Sequence, residues 1–439
     1  MNTMNKQPAK ELLKFIDNSP SPWHAVSTMT TMLKAKGFQA LSEQQAWELE
    51  AKKGGGRYYV IRDDSSLIAF TIGNGELPEH GFRIIGAHTD SPSLRIKPNA
   101  VQTDRLMNRL GVEVYGSPIL ASFADRDLGI AGRIVTKDIK THLVHFDKSL
   151  VRLPNLAIHM NRGVNQKGLK FDFQKELPLI LSVFQKNLPP KKQFITLLAD
   201  KIGRTADEIV SYELQVFDTQ AGNLFGLNDE FIANGQLDNL ASCHAGISAL
   251  LSDAALESKT STNVIAYFDH EEIGSQTHKG ADGRFLSDVL ERIGLSLNLN
   301  AENQKIAYAN SFMMSADMTH AYNPNFREFY DDQHPVIINA GPAIKINSNM
   351  RYSSESVSEA LFAKLCEQVK VPYQRYVHRS NLPCGSTIGP ITAANLGIRS
   401  IDIGNPMWAM HSARESAGVL DHYYMIKVMT GFFEDGGIF

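Results

Sequence analysis

Phe82-Arg-Ile-Ile-Gly-Ala-His88-Thr-Asp90 is the stretch that decides the fold. Apart from Arg83, everything before His88 is apolar or small and does not alternate with polar residues. That is the pattern of a strand buried on both faces of an α/β sheet. The run stops at a histidine and, two positions on, an acid. Such side chains suit the carboxyl end of a strand, where open α/β sheets place their ligands. An acid two residues on can hold the second ring nitrogen of a ligating histidine. Alone, a histidine beside an aspartate is more often structural than a ligand.

Working outward, residues 57–63 and 66–72 are further short apolar segments bounded by turn signals. The chain begins as two helices. Leu12, Leu13, Phe15 and Ile16 line one; Ser21 and Pro22 start the next, with Val26, Met29 and Leu33 as its stripe and Gly37 as its stop. From about Pro92 to Leu224 the texture changes. Residues 111–115, 129–136 and 141–146 suggest antiparallel strands, followed by a linker rich in Lys and Pro around 188–193. A helix from about Ala206 and a strand near 213–217 close this region. From Asp229 onward strands (263–269, 399–403) alternate with helices (239–251, 356–369). The expected class is α/β: a sandwich formed by residues 1–92 and 225–439, interrupted by a β-rich insert at 93–224.

A chain of 439 residues can bury such a core without staples. Charged residues are 21% and the formal net charge is −3, with no basic block, so no nucleic-acid partner is expected. No run approaches the ~18 apolar residues of a membrane span, so no membrane partner is expected. Cys243, Cys366 and Cys384 are far apart and odd in number, forming neither a disulfide framework nor a CxxC knuckle. With no signal-like pattern at the start, the cytoplasm is the expected location.

Four further segments carry chemistry. Gly235-Gln-Leu-Asp238-Asn-Leu puts an acid ahead of an apolar helix, either as an N-cap or as a carboxylate bridging two metals. Tyr267-Phe-Asp-His-Glu271-Glu272-Ile-Gly-Ser ends a strand in four polar residues, three of them acidic. Two buried neighbouring carboxylates repel and raise a pKa. Cations would remove that cost, leaving Glu272 as a ligand and Glu271 as general base; the alternative is a solvated acidic turn. Asp269 and His270 read as local support. Ser315-Ala-Asp317-Met-Thr-His320 and Met407-Trp-Ala-Met-His411-Ser-Ala-Arg-Glu415 add an acid and a histidine, each with a bland reading of its own. His320, His334 and His422 have no evident partner and read as structural or surface residues. Together, His88, Asp238, Glu272, Asp317 and His411 suit two zinc-like ions sharing one carboxylate, with the ions about 3.5–4 Å apart.

These segments resemble the aspartyl aminopeptidase family of dinuclear zinc metallo-aminopeptidases. The matching blocks are Gly86-Ala-His88-Thr-Asp90-Ser-Pro, Gly235-Gln-Leu-Asp238-Asn, Asp269-His-Glu271-Glu272-Ile-Gly274-Ser, Ser315-Ala-Asp317-Met-Thr-His-Ala, Pro383-Cys-Gly-Ser-Thr-Ile-Gly-Pro390 and Ala409-Met-His411-Ser. They follow the family's order over nearly the whole chain. The resemblance implies a metallopeptidase α/β sandwich split by a β-rich dimerisation domain. It further implies two divalent ions per chain, Zn2+, one on His88, Asp238 and Asp317 and one on Asp238, Glu272 and His411. Asp90 then orients His88, and Glu271 activates the metal-bridging water that releases one N-terminal residue from a peptide.

The same resemblance places His159, in Asn155-Leu-Ala-Ile-His159-Met-Asn-Arg, in a partner subunit's active site, and Lys345 and Tyr352 at a pocket for acidic side chains. It also implies a homo-oligomer built from dimers, with dodecamers as the precedent. Asn381 and Trp408 depart from the family, where Asp and Leu are usual. The rival functions are a broad or neutral-residue aminopeptidase with the same site, a metal-dependent deacylase, and a non-enzymatic assembly protein keeping the fold.

Overall fold

The computed structural model describes residues 5–49, 55–104, 106–183, 189–257 and 260–434. Phe82–His88 is a strand buried at every position, as its unbroken apolar run requires. It lies near the middle of a nine-stranded sheet. One neighbour is Thr262–Phe268 and the other Phe312–Ala316, both parallel to it and both buried throughout. Arg399–Gly404 extends the parallel set beyond Phe312–Ala316. Two antiparallel pairings flank this centre: Ser66–Thr71 on Thr262–Phe268, and Ala343–Ile346 on Arg399–Gly404.

The period-two geometry of a strand splits these buried residues between two cores. Ile85, Ala87, Ile265, Tyr267, Met314 and Ala316 face helices Gln7–Asp17, Leu237–Leu250 and Val419–Phe433. Ile84, Val264, Ala266, Phe268 and Met313 face helices Phe285–Ser296 and Ile388–Leu396. The result is a three-layer α/β/α sandwich. Leu237–Leu250 is buried nearly all round because the sheet covers one side and Val419–Phe433 the other. Gly246 permits that approach: a Cβ there would lie 2.4 Å from the Tyr267 hydroxyl.

A second, six-stranded sheet is antiparallel and built entirely between Ser93 and Asp218. Its core joins Leu94, Leu110, Ile130, Ile134, Leu214 and Val216 to Phe194 and Leu198 of a helix. That helix, Pro190–Lys201, corrects the reading of a linker around 188–193; Leu188 lies outside the described residues. Pro190 occupies the helix's first position, where its missing N–H costs nothing. The helix expected from Ala206 is only the single 3-10 turn Ala206–Glu208, because Ile209 and Val210 already open the strand Ile209–Asp218. A small third sheet joins Asn223–Phe225, Phe231–Asn234, Glu415–Gly418, Pro406–Trp408 and Thr319–His320. No helix among the described residues is long and apolar enough to cross a membrane.

Candidate metal centre

Three adjacent parallel strands end at the site. His88 closes Phe82–His88, Asp317 follows Phe312–Ala316, and Asp269 to Glu272 follow Thr262–Phe268. After His270, whose φ is +68°, the chain tightens into the 3-10 turn Glu271–Ile273 and holds both glutamates over the strand ends. Asp238 arrives from the helix below. Its backbone (φ −81°, ψ 106°) is non-helical, as an N-cap's would be, but its carboxylate is turned away from the helix N–H groups: Oδ1 accepts no hydrogen bond among the described residues and Oδ2 faces His411. The Asp238–Asn239 peptide is cis. Ser91 Oγ donates to Asp238 O at 2.6 Å, and Asn239 Nδ2 donates to Ala316 O at 2.8 Å, fixing the helix start to two strand ends. His411 sits on the tight turn between Pro406–Trp408 and Glu415–Gly418, with φ +69°.

These elements bring all five candidate ligands together. His88 Nε2 lies 3.4 Å from Asp238 Oδ1 and 3.5 Å from Asp317 Oδ1. His411 Nε2 lies 3.4 Å from Asp238 Oδ2 and 3.4 Å from Glu272 Oε2. Asp238 therefore presents one oxygen to each of two triads, His88–Asp238–Asp317 and Asp238–Glu272–His411. A third grouping at ligand distance is His88, Glu271 and Glu272. Asp238 Oδ1 and Glu272 Oε1 are buried and accept no hydrogen bond among the described residues. Orphaned buried carboxylate oxygens in a cluster that also holds two imidazoles fit divalent cations, which need such lone pairs.

The electrostatics agree with that fit. Burial, then the charges of Asp317, Asp90 and Asp238, push the Glu271 carboxyl up to about 8, against the opposing pull of His88. Burial and the charges of Asp238 and Glu271 raise Glu272 as well. Burial works against a charged His411, but the hydrogen bond and charge of Asp238 hold it up at about 9. His88 is likewise raised, with burial outweighed by Glu271, Asp238, Asp317 and Asp90. So many acids in a dry cluster need positive charge, and in a protein that usually marks function.

The profile of the family described as Aminopeptidase I zinc metalloprotease (M18) matches residues 15–433. The chain belongs to the M18 family. It is a metallo-aminopeptidase, a peptide hydrolase. The probable M18 family aminopeptidase 2 of Stutzerimonas stutzeri is 45% identical over 429 residues, covering 96% of this chain and 97% of the relative. Its counterpart in Clostridium novyi is 42% identical over 431 residues, covering 97% and 98%. Among solved structures, prApe1 matches with a TM-score of 0.91 at 31% identity, covering 97% of this chain and 94% of that one. The S. cerevisiae mApe1 dodecamer matches with a TM-score of 0.85 at 29% identity, covering 98% and 96%.

In this M18 enzyme two buried carboxylates hold the cluster without pointing into it. Asp90 accepts the backbone N–H of Glu271 and of Glu272, one per oxygen, each at 3.1 Å. His88 Nδ1 is closer to the Asp90 backbone oxygen (3.1 Å) than to its carboxylate (3.5 Å), so orientation of the ring falls mainly to the main chain. Glu415 does for the other side what Asp90 does here: its oxygens accept the N–H of His411 at 2.7 Å and of Asp238 at 3.1 Å. Its role escapes the sequence, where an acid four residues after a histidine looks like a surface group. Asp269, fully buried, is support as expected, paired with Lys279 Nζ at 3.0 Å.

The five candidate ligands, Glu271, Lys345 and Tyr352 line one cavity of about 370 Å3. Lys345 is not a solvated surface group. It is 3% exposed, with Nζ 3.1 Å from Asp317 Oδ2 and 5.2 Å from the Tyr352 ring centre. His320 also lines the cavity, His334 pairs with Asp331 at 2.8 Å, and His422 shares a 2.9 Å hydrogen bond with buried His244. Trp408 lines an adjoining cavity of about 220 Å3 that shares His320 and Met410 with the first. Asn381 is exposed on a turn. His159 stands apart from all of these, on an exposed turn of the second sheet's unit rather than in a strand.

Proposed function

We propose that this enzyme releases single N-terminal residues from peptides at a two-zinc centre, with Asp238 bridging and Glu271 as general base. What carries the reading is the division of Asp238, Oδ1 toward His88 and Oδ2 toward His411. His88 and Asp317 would complete one ion's set, and Glu272 and His411 the other's. When bound, the ions would polarise the scissile carbonyl and acidify the attacking water. Glu271, at the cavity wall and outside both triads, takes that water's proton and returns it to the leaving amine. Asp90 fixes the backbone of Glu271 and Glu272, so the base does not drift between these two steps.

For specificity, the proposed preference is N-terminal Asp or Glu, supported by a buried lysine facing the cavity. The neutral-residue reading has its own support, because Lys345 is already paired with Asp317. Comparing kcat/KM on Asp, Glu, Leu and Ala substrates separates them. A charge-assisted hydrogen bond is worth roughly 1.5–3 kcal/mol, so an acid preference of about one to two decades is expected, and Lys345→Met should abolish it. Zinc content must be measured in parallel, since losing the lysine also frees Asp317. A parent that prefers Leu sinks the acidic reading and leaves the metal chemistry standing.

The proposed assembly is a homo-oligomer of dimers, a dodecamer, in which residues 93–224 form the dimerisation unit. Its support is the similarity to a dodecameric relative and the exposure of Leu156 (61%) and Met160 (74%) beside His159. Apolar side chains that open to water usually mark an interface. On this reading His159 enters the partner's active site.

A further inference from the structure

The strand Met107–Tyr115 belongs to the antiparallel sheet, yet the residues at its end touch both halves of the metal centre. Tyr115 is 6% exposed, and its hydroxyl donates to Asp90 Oδ2 at 2.6 Å. That oxygen also receives the Glu272 N–H, while Oδ1 receives that of Glu271. Gly116, at φ +66°, comes so close that a Cβ there would lie 3.1 Å from Glu272 Cβ. Ser117 O faces His411 Nδ1 at 3.1 Å, and Ile119 N donates to His411 O at 2.9 Å.

We propose that Tyr115-Gly116-Ser117 is a positioning element of the metal centre, in which the Tyr115 hydroxyl acts through Asp90 and the Ser117 carbonyl acts on His411. The inference rests on the two-zinc reading above. Asp90 is buried completely, and its three donors define the plane of its carboxylate. Take away the phenol, and Oδ2 keeps a single N–H; the group can then turn about Cβ–Cγ and release the turn that carries Glu271 and Glu272. On the other side, an acceptor at His411 Nδ1 holds the proton there and leaves Nε2 free to face Asp238 and Glu272, the tautomer a ligand needs. Arg95, stacked 3.6 Å from the Tyr115 ring centre, fixes the ring from behind. The antiparallel sheet thus supplies groups that shape the active centre of its own chain.

The test uses the full-length enzyme, stripped of metal and titrated with zinc against a chromogenic chelator, with kcat, KM and Tm measured on the reloaded protein. Tyr115→Phe should weaken zinc binding about 10- to 100-fold and lower kcat with little change in KM. Gly116→Ala, which crowds Glu272 instead of removing a hydrogen bond, should also weaken zinc. Tyr212→Phe is the control: its hydroxyl donates to Lys97 O at 2.9 Å in the same sheet, away from the centre. It should lower Tm alone. Parental zinc affinity in Tyr115→Phe and Gly116→Ala, with only a Tm loss like the control's, overturns the proposal. Should Tyr115→Phe fail to assemble, Gly116→Ala decides in the same way. A parent that binds no zinc overturns the two-zinc reading and this inference together, a result distinct from zinc binding that survives the substitutions.

Discussion

Glu271 carries a proton at neutral pH as long as no cation shares its cluster, because burial and three neighbouring carboxylates hold its carboxyl up at about 8. His411, held at about 9 chiefly by Asp238, is protonated in the same state. A ligating imidazole must be neutral, so zinc has to expel protons as it binds. The metal-free form therefore holds more protons than the loaded one, and affinity must rise with pH from neutrality through the range in which Glu271 and His411 titrate. Calorimetry at pH 7 in two buffers of different ionisation enthalpy should show more than one proton released per chain; none released would contradict this charge balance. Glu271 also lies 3.9 Å from His88 Nε2, near enough to raise the question of whether it ligates. Glu271→Gln answers it. As a base alone, the variant keeps its zinc and loses about 10²–10⁴-fold in turnover; metal analysis showing lost zinc would make Glu271 a ligand instead.

The turn at His411 and the helix start at Asp238 come from distant parts of the chain, and the strand Glu415–Gly418 joins them through one carboxylate. In Glu415→Gln one oxygen becomes an amide NH2 and meets an N–H, donor against donor. Zinc affinity should fall about 10–100-fold with the fold retained, read by chelator competition and far-UV CD; unchanged affinity would reduce Glu415 to a packing group. Elements such as these explain what the sequence discloses and what it hides. The central strands are legible because burial on both faces leaves an unbroken apolar run, as in Ile84-Ile85 and Val264-Ile265. Candidate ligands stand out where acids or histidines interrupt such runs. Asp238 is ambiguous, since an acid before a helix usually caps it, and only the two histidines that its oxygens face in the fold decide otherwise. The helix Pro190–Lys201 hides behind Pro189-Pro190-Lys-Lys, although Phe194 and Leu198, four apart, are the buried stripe that betrays it. Glu415 and Tyr115 act by hydrogen bonds across the fold, and a linear pattern does not record those.

At the scale of the assembly, His159 is the residue that tests whether neighbouring subunits share a site. His159→Phe should keep its zinc and lose activity. Co-expressed with Glu271→Gln chains, it should regain roughly a quarter of the parental sites if dimers pair at random. A purified hybrid with no recovery would confine His159 to its own chain. The order of strands across the large sheet has a different consequence, which concerns how the chain is made. Phe82–His88 finds its two neighbours only when Thr262–Phe268 and Phe312–Ala316 have been synthesised. At ordinary translation rates that delay is on the order of ten seconds or more. Meanwhile residues 93–218 can complete their own sheet, since every one of its strands lies between those positions. The nascent chain thus carries a finished β unit tethered to an apolar strand with two open edges. Such a strand pairs with whatever strand it meets, so the yield of active enzyme depends on what shelters Phe82–His88 until the ribosome has passed Ala316.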